Sequence, residues 1–326
     1  MPDILAIGNA LVDVITTNDA AFLAQHAIPK GTMRLIAADE AERLYGIMGA
    51  GREVSGGSAA NSVAGIAALG GTPGFIGRVA ADQLGEVFAH DIRAAGVAFD
   101  VPPMVDGPPT GRCLIVVTPD GDRTMSTYLG ACQELSEADI TETAVRASRI
   151  VYLEGYLWAP VGPRAALRKA MAIARAAGTK VAFTLSDVFC VDVGRDDFKD
   201  LLGTHVDILF GNEAEVCALY QTTDLGAAMA ELSRHATITV ITRSGEGAVV
   251  IAGGQQIVVP AEPVAQVVDT TGAGDLFAGG FLHGFAAGRP LADCARIGAI
   301  AAAEIISHYG ARPEADLKAL LATRLG

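Results

Sequence analysis

The chain has 326 residues, 51% hydrophobic and 19% charged, with a formal charge of -13, so it is long enough to bury a large core. A surface this acidic repels nucleic acid and anionic membranes, which excludes both as partners, and any phosphate site must be made positive locally by helix N-termini, a metal ion or a few basic side chains. Five scattered cysteines (Cys113, Cys132, Cys190, Cys217, Cys294) with no CxxC pair read as reduced core thiols of a cytoplasmic protein, and the apolar run around 298–306 is too short to cross a bilayer.

The sequence opens directly on a buried-type strand from Ile4 to Gly8, with no basic segment before it, so no signal peptide is expected. Asn9 and Asp13 follow the strand end, where ligands gather in α/β sheets, although alone they read sooner as a turn residue and a solvated charge. Residues 14–36 are mixed, with a helix expected over 19–26, and 39–49 read as helical. Ser55-Gly56-Gly57-Ser58-Ala59-Ala60-Asn61 is a glycine-rich turn opening a helix toward Leu69, with Ser and Asn available as caps. A strand at 75–79 and a helix at 82–95 closed by Gly96 come next. Two β-prone runs, 112–118 and 123–128, flank Pro119-Asp120-Gly121-Asp122 and predict a hairpin, with Arg123 just past its turn.

From Ile150 the pattern alternates: strands at 151–153, 181–185 and 207–210, and helices at 163–177 and near 196–202. Repeated βα units imply a parallel sheet covered on both faces. After the strand ending at Phe210, Asn212 and Glu215 share one side of a helix start. That pair suits a hydrated Mg²⁺ or a capping box. A strand at 237–242 leads into Arg243-Ser244-Gly245-Glu246-Gly247 and a further strand. The apolar run 264–268 reads as strand-like and ends at Asp269-Thr270-Thr271-Gly272-Ala273-Gly274-Asp275, which enters Leu276-Phe277-Ala278-Gly279-Gly280-Phe281. A glycine-rich helix start offers free N–H groups and a favourable dipole to a phosphate. A carboxylate beside that phosphate is repelled by it, unless its task is to take a proton from an attacking hydroxyl.

This last signature resembles that of the ribokinase-like (PfkB-type) carbohydrate and nucleoside kinases, and the resemblance extends over nearly the whole chain. It implies a three-layer αβα sandwich, Rossmann-like with a mostly parallel sheet, formed by 1–13, 37–108 and 129–326, and a small β lid formed by 14–36 and 109–128. By the same resemblance Asp275 is the catalytic base, Gly272, Ala273 and Gly274 form the anion hole, and Arg123 reaches the transferring phosphate. Asn9, Leu11, Asp13, Gly56, Gly57, Asn61 and Tyr156 are expected to bind the acceptor. Asn212, Thr242, Ser244, Gly247 and Thr270 would lie along ATP. Asn212 and Glu215 would position Mg²⁺, and Asp269 and Thr271 would hold a monovalent cation such as K⁺.

The opening Gly8 to Asp13, the hairpin and Ile208 to Glu213 are similar to adenosine kinases, which implies phosphorylation of adenosine to AMP in purine salvage. The Phe pair with which adenosine kinases sandwich the purine is absent: Gly155-Tyr156-Leu157-Trp158 stands there, with Tyr156 or Trp158 offering a ring and Leu11 the other wall. Asp187 adds a carboxylate nearby. A sugar kinase acting on ribose, fructose or a keto-deoxy sugar acid is the second reading, and a non-catalytic sugar- or nucleoside-binding sensor the third. The chain is compatible with a monomer or a homodimer.

Overall fold

The computed structural model describes residues 2–235 and 237–325. The N-terminal part runs β1 (Ile4–Ile7), β2 (Leu11–Thr17), α1 (Ala20–Gln25), β3 (Met33–Leu35), α2 (Ala38–Ile47), β4 (Arg52–Gly56), α3 (Ser58–Ala68), β5 (Pro73–Ile76) and α4 (Gln83–Ala94). A hairpin of β6 (Gly111–Val117) and β7 (Arg123–Tyr128) precedes α5 (Glu142–Ala147). Then come β8 (Ile150–Glu154), α6 (Val161–Ala177), β9 (Lys180–Thr184), α7 (Val188–Thr204), β10 (Ile208–Asn212), α8 (Glu213–Leu219), α9 (Leu225–Leu232) and β11 (Ile238–Thr242). The chain closes with β12 (Ala248–Ala252), β13 (Gln255–Val259), α10 (Ala273–Ala286), α11 (Leu291–Ile305) and α12 (Leu317–Leu325).

Eight strands form the main sheet in the order β13-β12-β11-β10-β9-β8-β1-β5. All pair in parallel except β12 and β13 at one edge. Side chains alternate between two cores, as the period of two demands. Ile4 and Ala6 join residues of α3, α4, α10 and α11 on one face, and Leu5 and Ile7 join residues of α6, α7, α8 and α9 on the other. From β1 the chain lays β5 on one side and β8 through β11 on the other. The strand order therefore reverses between β1 and β8, and a ligand crevice is expected outside their C-terminal ends.

A second sheet has the order β3-β7-β6-β2-β4. It differs from the sequence expectation in its limits. β2 begins at Leu11 and pairs with β4, Leu11 opposite Gly56. The boundary expected at residue 13 thus falls inside a strand, and Arg52–Gly56 belongs to the small sheet rather than to the large unit. Both differences have one physical cause: strand partners far apart in sequence leave no local signal. The strand expected at 264–268 is absent among the described residues. That segment lies against the end of α11, where the Val268 N–H donates to the Ile306 carbonyl at 2.8 Å. The helix expected near 196–202 runs from Val188 to Thr204, with Asp187 as its N-cap accepting from the Phe189 N–H. That cap gives the extra carboxylate at 187 a structural role.

Candidate active site

Two glycine-rich turns separated by about two hundred residues meet at the crevice. The reason is a close helix contact. A Cβ on Gly279 would stand 2.5 Å from the Ser62 carbonyl oxygen, and one on Gly280 would stand 2.8 Å from the Gly298 Cα. Glycine thus lets α10 lie backbone to backbone on α3 and α11, and the N-termini of α3 and α10 converge. Gly272 caps α10 in the left-handed region at φ 79°. The Ala273 N–H folds back to the Thr270 carbonyl at 3.2 Å, and the Leu276 N–H bonds to the Gly272 carbonyl at 2.8 Å. Between them lie the N–H groups of Gly274 and Asp275, in the first turn where a helix supplies no partner. Gly274 is exposed and a Cβ there would meet nothing within 4 Å. Bare N–H groups, a helix dipole and open space fit a phosphoryl group.

Asp275 stands in that first turn. Its Oδ1 accepts from Ser58 Oγ at 2.6 Å and its Oδ2 from Asn61 Nδ2 at 2.9 Å. Burial raises its pKa above the usual carboxylate range, while Ser58, Asn61 and the Arg312 charge pull against that rise. Asn61 was expected to bind acceptor hydroxyls. Instead its amide spans two groups, because its Oδ1 accepts from Arg312 Nη1 at 2.6 Å.

Asp13 lies across the crevice on β2. A Cβ on Gly56 would be 2.4 Å from its Cγ, so glycine leaves the carboxylate room to lie on the β4 backbone. Burial pushes its pKa up to about 6, opposed by the charges of Arg312 and Arg123. Gly57 has φ 99°, and a Cβ there would sit 2.2 Å from the Asn9 carbonyl oxygen. Asn9 is 4% exposed and does not reach outward. Its backbone N–H and its Nδ2 both donate to Glu154 Oε1 at 2.7 Å, and Glu154 Oε2 accepts from the Ala59 N–H at 2.9 Å. Burial pushes Glu154 up to about 7, against those hydrogen bonds. The acceptor-binding role expected for Asn9 is thus replaced by a clamp joining β1, β8 and α3 at the switch point.

The expected nucleotide and metal residues line the neighbouring strand ends. Asn212 and Thr242 are register partners. Asn212 and Glu215 form a complete capping box: Asn212 Oδ1 accepts from the Glu215 N–H at 2.9 Å, and Glu215 accepts from the Asn212 N–H at 3.0 Å and from its Nδ2 at 2.7 Å. Glu215 is 6% exposed, and burial raises its pKa to about 7. The cap occupies these polar atoms, so only the remaining carboxylate lone pairs of Glu215 suit a hydrated metal ion, through its waters. Thr242 is half-buried and Ser244 exposed. Gly247 has φ 87°, with the Val259 carbonyl oxygen 2.1 Å from where a Cβ would be.

Arg123 does not lie free over the anion hole. It is paired with Asp269, and the two side chains are 8% and 2% exposed. Asp269 also accepts from the Gly310 N–H and the Thr271 N–H, each at 2.9 Å. With a guanidinium and two N–H groups upon it, this carboxylate does not fit the monovalent-cation role expected for Asp269 and Thr271. Thr270 is exposed beside it. Leu11, 9% exposed, begins β2 at the crevice. Tyr156 donates its hydroxyl to the Ser186 carbonyl at 3.1 Å. Trp158 is excluded as a stacking wall: it is 1% exposed, packs edge-on to Phe183 and Phe198, and donates Nε1–H to Asp197 at 2.8 Å.

Sequence reasoning missed Glu154, Ser58 and Arg312. Glu154 had a usable signal, a lone carboxylate ending the apolar run Ile150-Val151-Tyr152-Leu153. Arg312 had none, since Tyr309-Gly310-Ala311-Arg312-Pro313 reads as a surface stop after a helix.

The sequence matches the pfkB family carbohydrate kinase description over residues 30–317. The crystal structure of adenosine kinase from Sinorhizobium meliloti is 48% identical, with 99% of each chain covered and a TM-score of 0.92. A probable sugar kinase from Rhizobium etli CFN 42 is 45% identical, with 99% of this chain and 98% of that one covered and a TM-score of 0.92. Adenosine kinase 1 of Arabidopsis thaliana is 28% identical over 333 residues, covering 94% of either chain.

Proposed function

The chain belongs to the pfkB family of carbohydrate kinases and is a kinase of ribokinase-like fold, and from that premise we propose that it moves the γ-phosphoryl group of ATP to a primary hydroxyl of adenosine. One observation carries the chemistry: a half-buried carboxylate, Asp275, held by Ser58 and Asn61, stands in the same helix turn as the open N–H group of Gly274. The acceptor oxygen forms a bond to phosphorus as the bond to ADP breaks, and its proton passes to Asp275. Ser58 and Asn61 hold that carboxylate by both oxygens. The open N–H groups of Gly274 and Asp275 face the charge of the phosphoryl oxygens, a term worth about 3–4 kcal/mol per donor in comparable sites, while the Ala273 N–H, held by the Thr270 carbonyl, shapes the turn with Gly272. Thr242, Ser244, Gly247, Thr270 and Asn212 run along the nucleotide. Glu215 would hold a hydrated Mg²⁺, which would supply charge neutralisation to the phosphates.

Likeness to the Sinorhizobium adenosine kinase over nearly the full chain supports adenosine as the acceptor. Asp13 would accept two hydrogen bonds from the ribose diol, and Leu11 and Tyr156 would border the base. The near-equal likeness to a probable sugar kinase supports a free sugar as the second reading. A sugar acid is disfavoured, because both guanidinium groups of the site are engaged: Arg123 by Asp269, and Arg312 by Asn61 and Ser55. ADP release from Mg²⁺-ATP, with adenosine, inosine, ribose, fructose and a keto-deoxy sugar acid offered separately, tests the assignment. Turnover with adenosine is expected. Turnover with a free sugar alone overturns adenosine, and binding without turnover overturns catalysis.

A further inference from the structure

Arg312 takes no part in the chemistry of transfer itself, yet the fold goes to some length to hold it, half-buried, beside the base. It lies in the segment between α11 and α12, 251 residues from Asn61 in sequence. That segment is clamped on both sides. Before Arg312, the Gly310 N–H donates to Asp269 Oδ2 at 2.9 Å. After it, the Glu314 and Ala315 N–H groups donate to Glu304 Oε1 at 2.9 and 2.8 Å. Ala311 is buried against Gly272, where a Cβ would be only 2.8 Å from its own. The guanidinium then reaches three acceptors. Nη1 donates to Asn61 Oδ1 at 2.6 Å, and Nη2 donates to the Ser55 carbonyl at 2.5 Å and to Ser55 Oγ at 2.9 Å. Ser55 is anchored in turn, its N–H and Oγ donating to Asp91 Oδ2 at 2.8 and 2.6 Å.

The chemistry of this chain of hydrogen bonds has a direction. A guanidinium only donates, so the Asn61 atom facing it must be the oxygen. The Asn61 NH₂ is therefore turned toward Asp275, where it donates to Oδ2. A neutral residue at 312 would leave the amide free to flip and present its oxygen to a carboxylate. The positive charge acts in the same sense. It is the cation among the groups around Asp275, the others being Asp13 on β2, Tyr152 and Glu154 on β8, Tyr156 after β8, and Glu215 on α8. Every one of those is neutral or negative.

We propose that Arg312 is a positioning residue for phosphoryl transfer, fixing the Asn61 amide toward Asp275 and holding that carboxylate ionised and oriented. This rests on Asp275 being the base. The test is the pH profile of kcat/KM and of kcat for Arg312→Met and Arg312→Lys, each alone and combined with Asn61→Ala, with ATP binding and thermal unfolding as checks on folding.

Loss of the charge disfavours ionised Asp275, so its pKa rises and the acidic limb of Arg312→Met moves to higher pH, by roughly 1 unit for a nearby opposite charge removed. Arg312→Lys keeps the charge and holds the limb close to wild type, while kcat falls because the fork is lost. The combined Arg312→Met and Asn61→Ala variant loses no more than the worse single variant. An unmoved limb in folded Arg312→Met, or fold-losses that multiply independently with those of Asn61→Ala, overturns the proposal. A rise in acceptor KM with kcat and limb unchanged also overturns it, assigning Arg312 to the acceptor instead. Retained turnover in Asp275→Asn would be a different failure, that of the base itself.

Discussion

At the scale of single residues, the site is a set of carboxylates kept apart by what each one accepts. Glu154 takes three N–H bonds from Asn9 and Ala59 and fastens the switch point. Asp269 takes a guanidinium and two N–H groups. Among the described residues Asp275 takes Ser58 and Asn61 alone, which leaves it lone pairs for a proton. Its raised pKa has a kinetic consequence. A base works deprotonated, so activity is present above its pKa and lost as pH falls through it. Asp13, pushed up to about 6, acts in the same sense, because its protonated form accepts fewer hydroxyl bonds. A pH profile of kcat/KM is therefore expected to show an acidic limb well above the usual carboxylate value of about 4, with acceptor KM rising as pH falls below 6. A flat profile down to pH 4.5 would contradict the raised pKa of both groups. The place of Asp275 in the first turn of a helix was legible in the sequence because its spacing from Gly272 and Gly274 is local. Asn9 and Asn61 were misjudged because amide side chains near a strand end and a helix start look alike whether they face a ligand or a buried partner, and their partners, Glu154 and Arg312, are far away in sequence.

At the scale of elements, the contact between α3 and α10 decides whether a site exists. Gly279 stands where any Cβ would press on the Ser62 carbonyl at 2.5 Å. Gly279→Ala is expected to cost about 1–3 kcal/mol as an overpacked contact and to lower kcat at saturating ATP and acceptor, since it moves Asp275 away from Ser58 and Asn61. Gly46→Ala, on α2 away from the site and at a position with nothing within 4 Å of a Cβ, serves as the neutral comparison in urea unfolding and in turnover. Equal behaviour of the two variants would sink the close-approach argument. The capping box of Asn212 and Glu215 belongs at this scale too. Asn212→Ala removes a cap worth about 1 kcal/mol, and a larger loss in apparent Mg²⁺ affinity than in stability would show that the pair does more than start a helix. Helices and parallel strands were readable from periodicity and spacing. β4 and the shape of 264–268 were not, because strand existence depends on a partner.

At the scale of the whole molecule, the pair of Arg123 and Asp269 ties the small sheet to the turn before α10. Removing one member of so buried a pair leaves an uncompensated charge, expected to cost about 3–5 kcal/mol. Arg123→Met is thus expected to unfold at markedly lower denaturant than wild type, and Arg123→Met combined with Asp269→Asn to recover part of the loss. Additive losses would show that the tie does not hold the two sheets together. The overall charge of -13 adds a general point: Arg123 and Arg312 stand out in a molecule that otherwise repels phosphates, and helix N-termini supply the rest of the local positive potential.

Two distant glycine turns converge to seat Asp275 as the proposed base of phosphoryl transfer, and everything else in the site depends on that convergence. Its most direct test is single-substrate turnover of Asp275→Asn with Mg²⁺-ATP and adenosine, alongside unfolding and ATP binding. The expected result is a folded, ATP-binding protein whose kcat has fallen by about 10²–10⁴ or more. Near-wild-type turnover in that folded variant would contradict the assignment of the base.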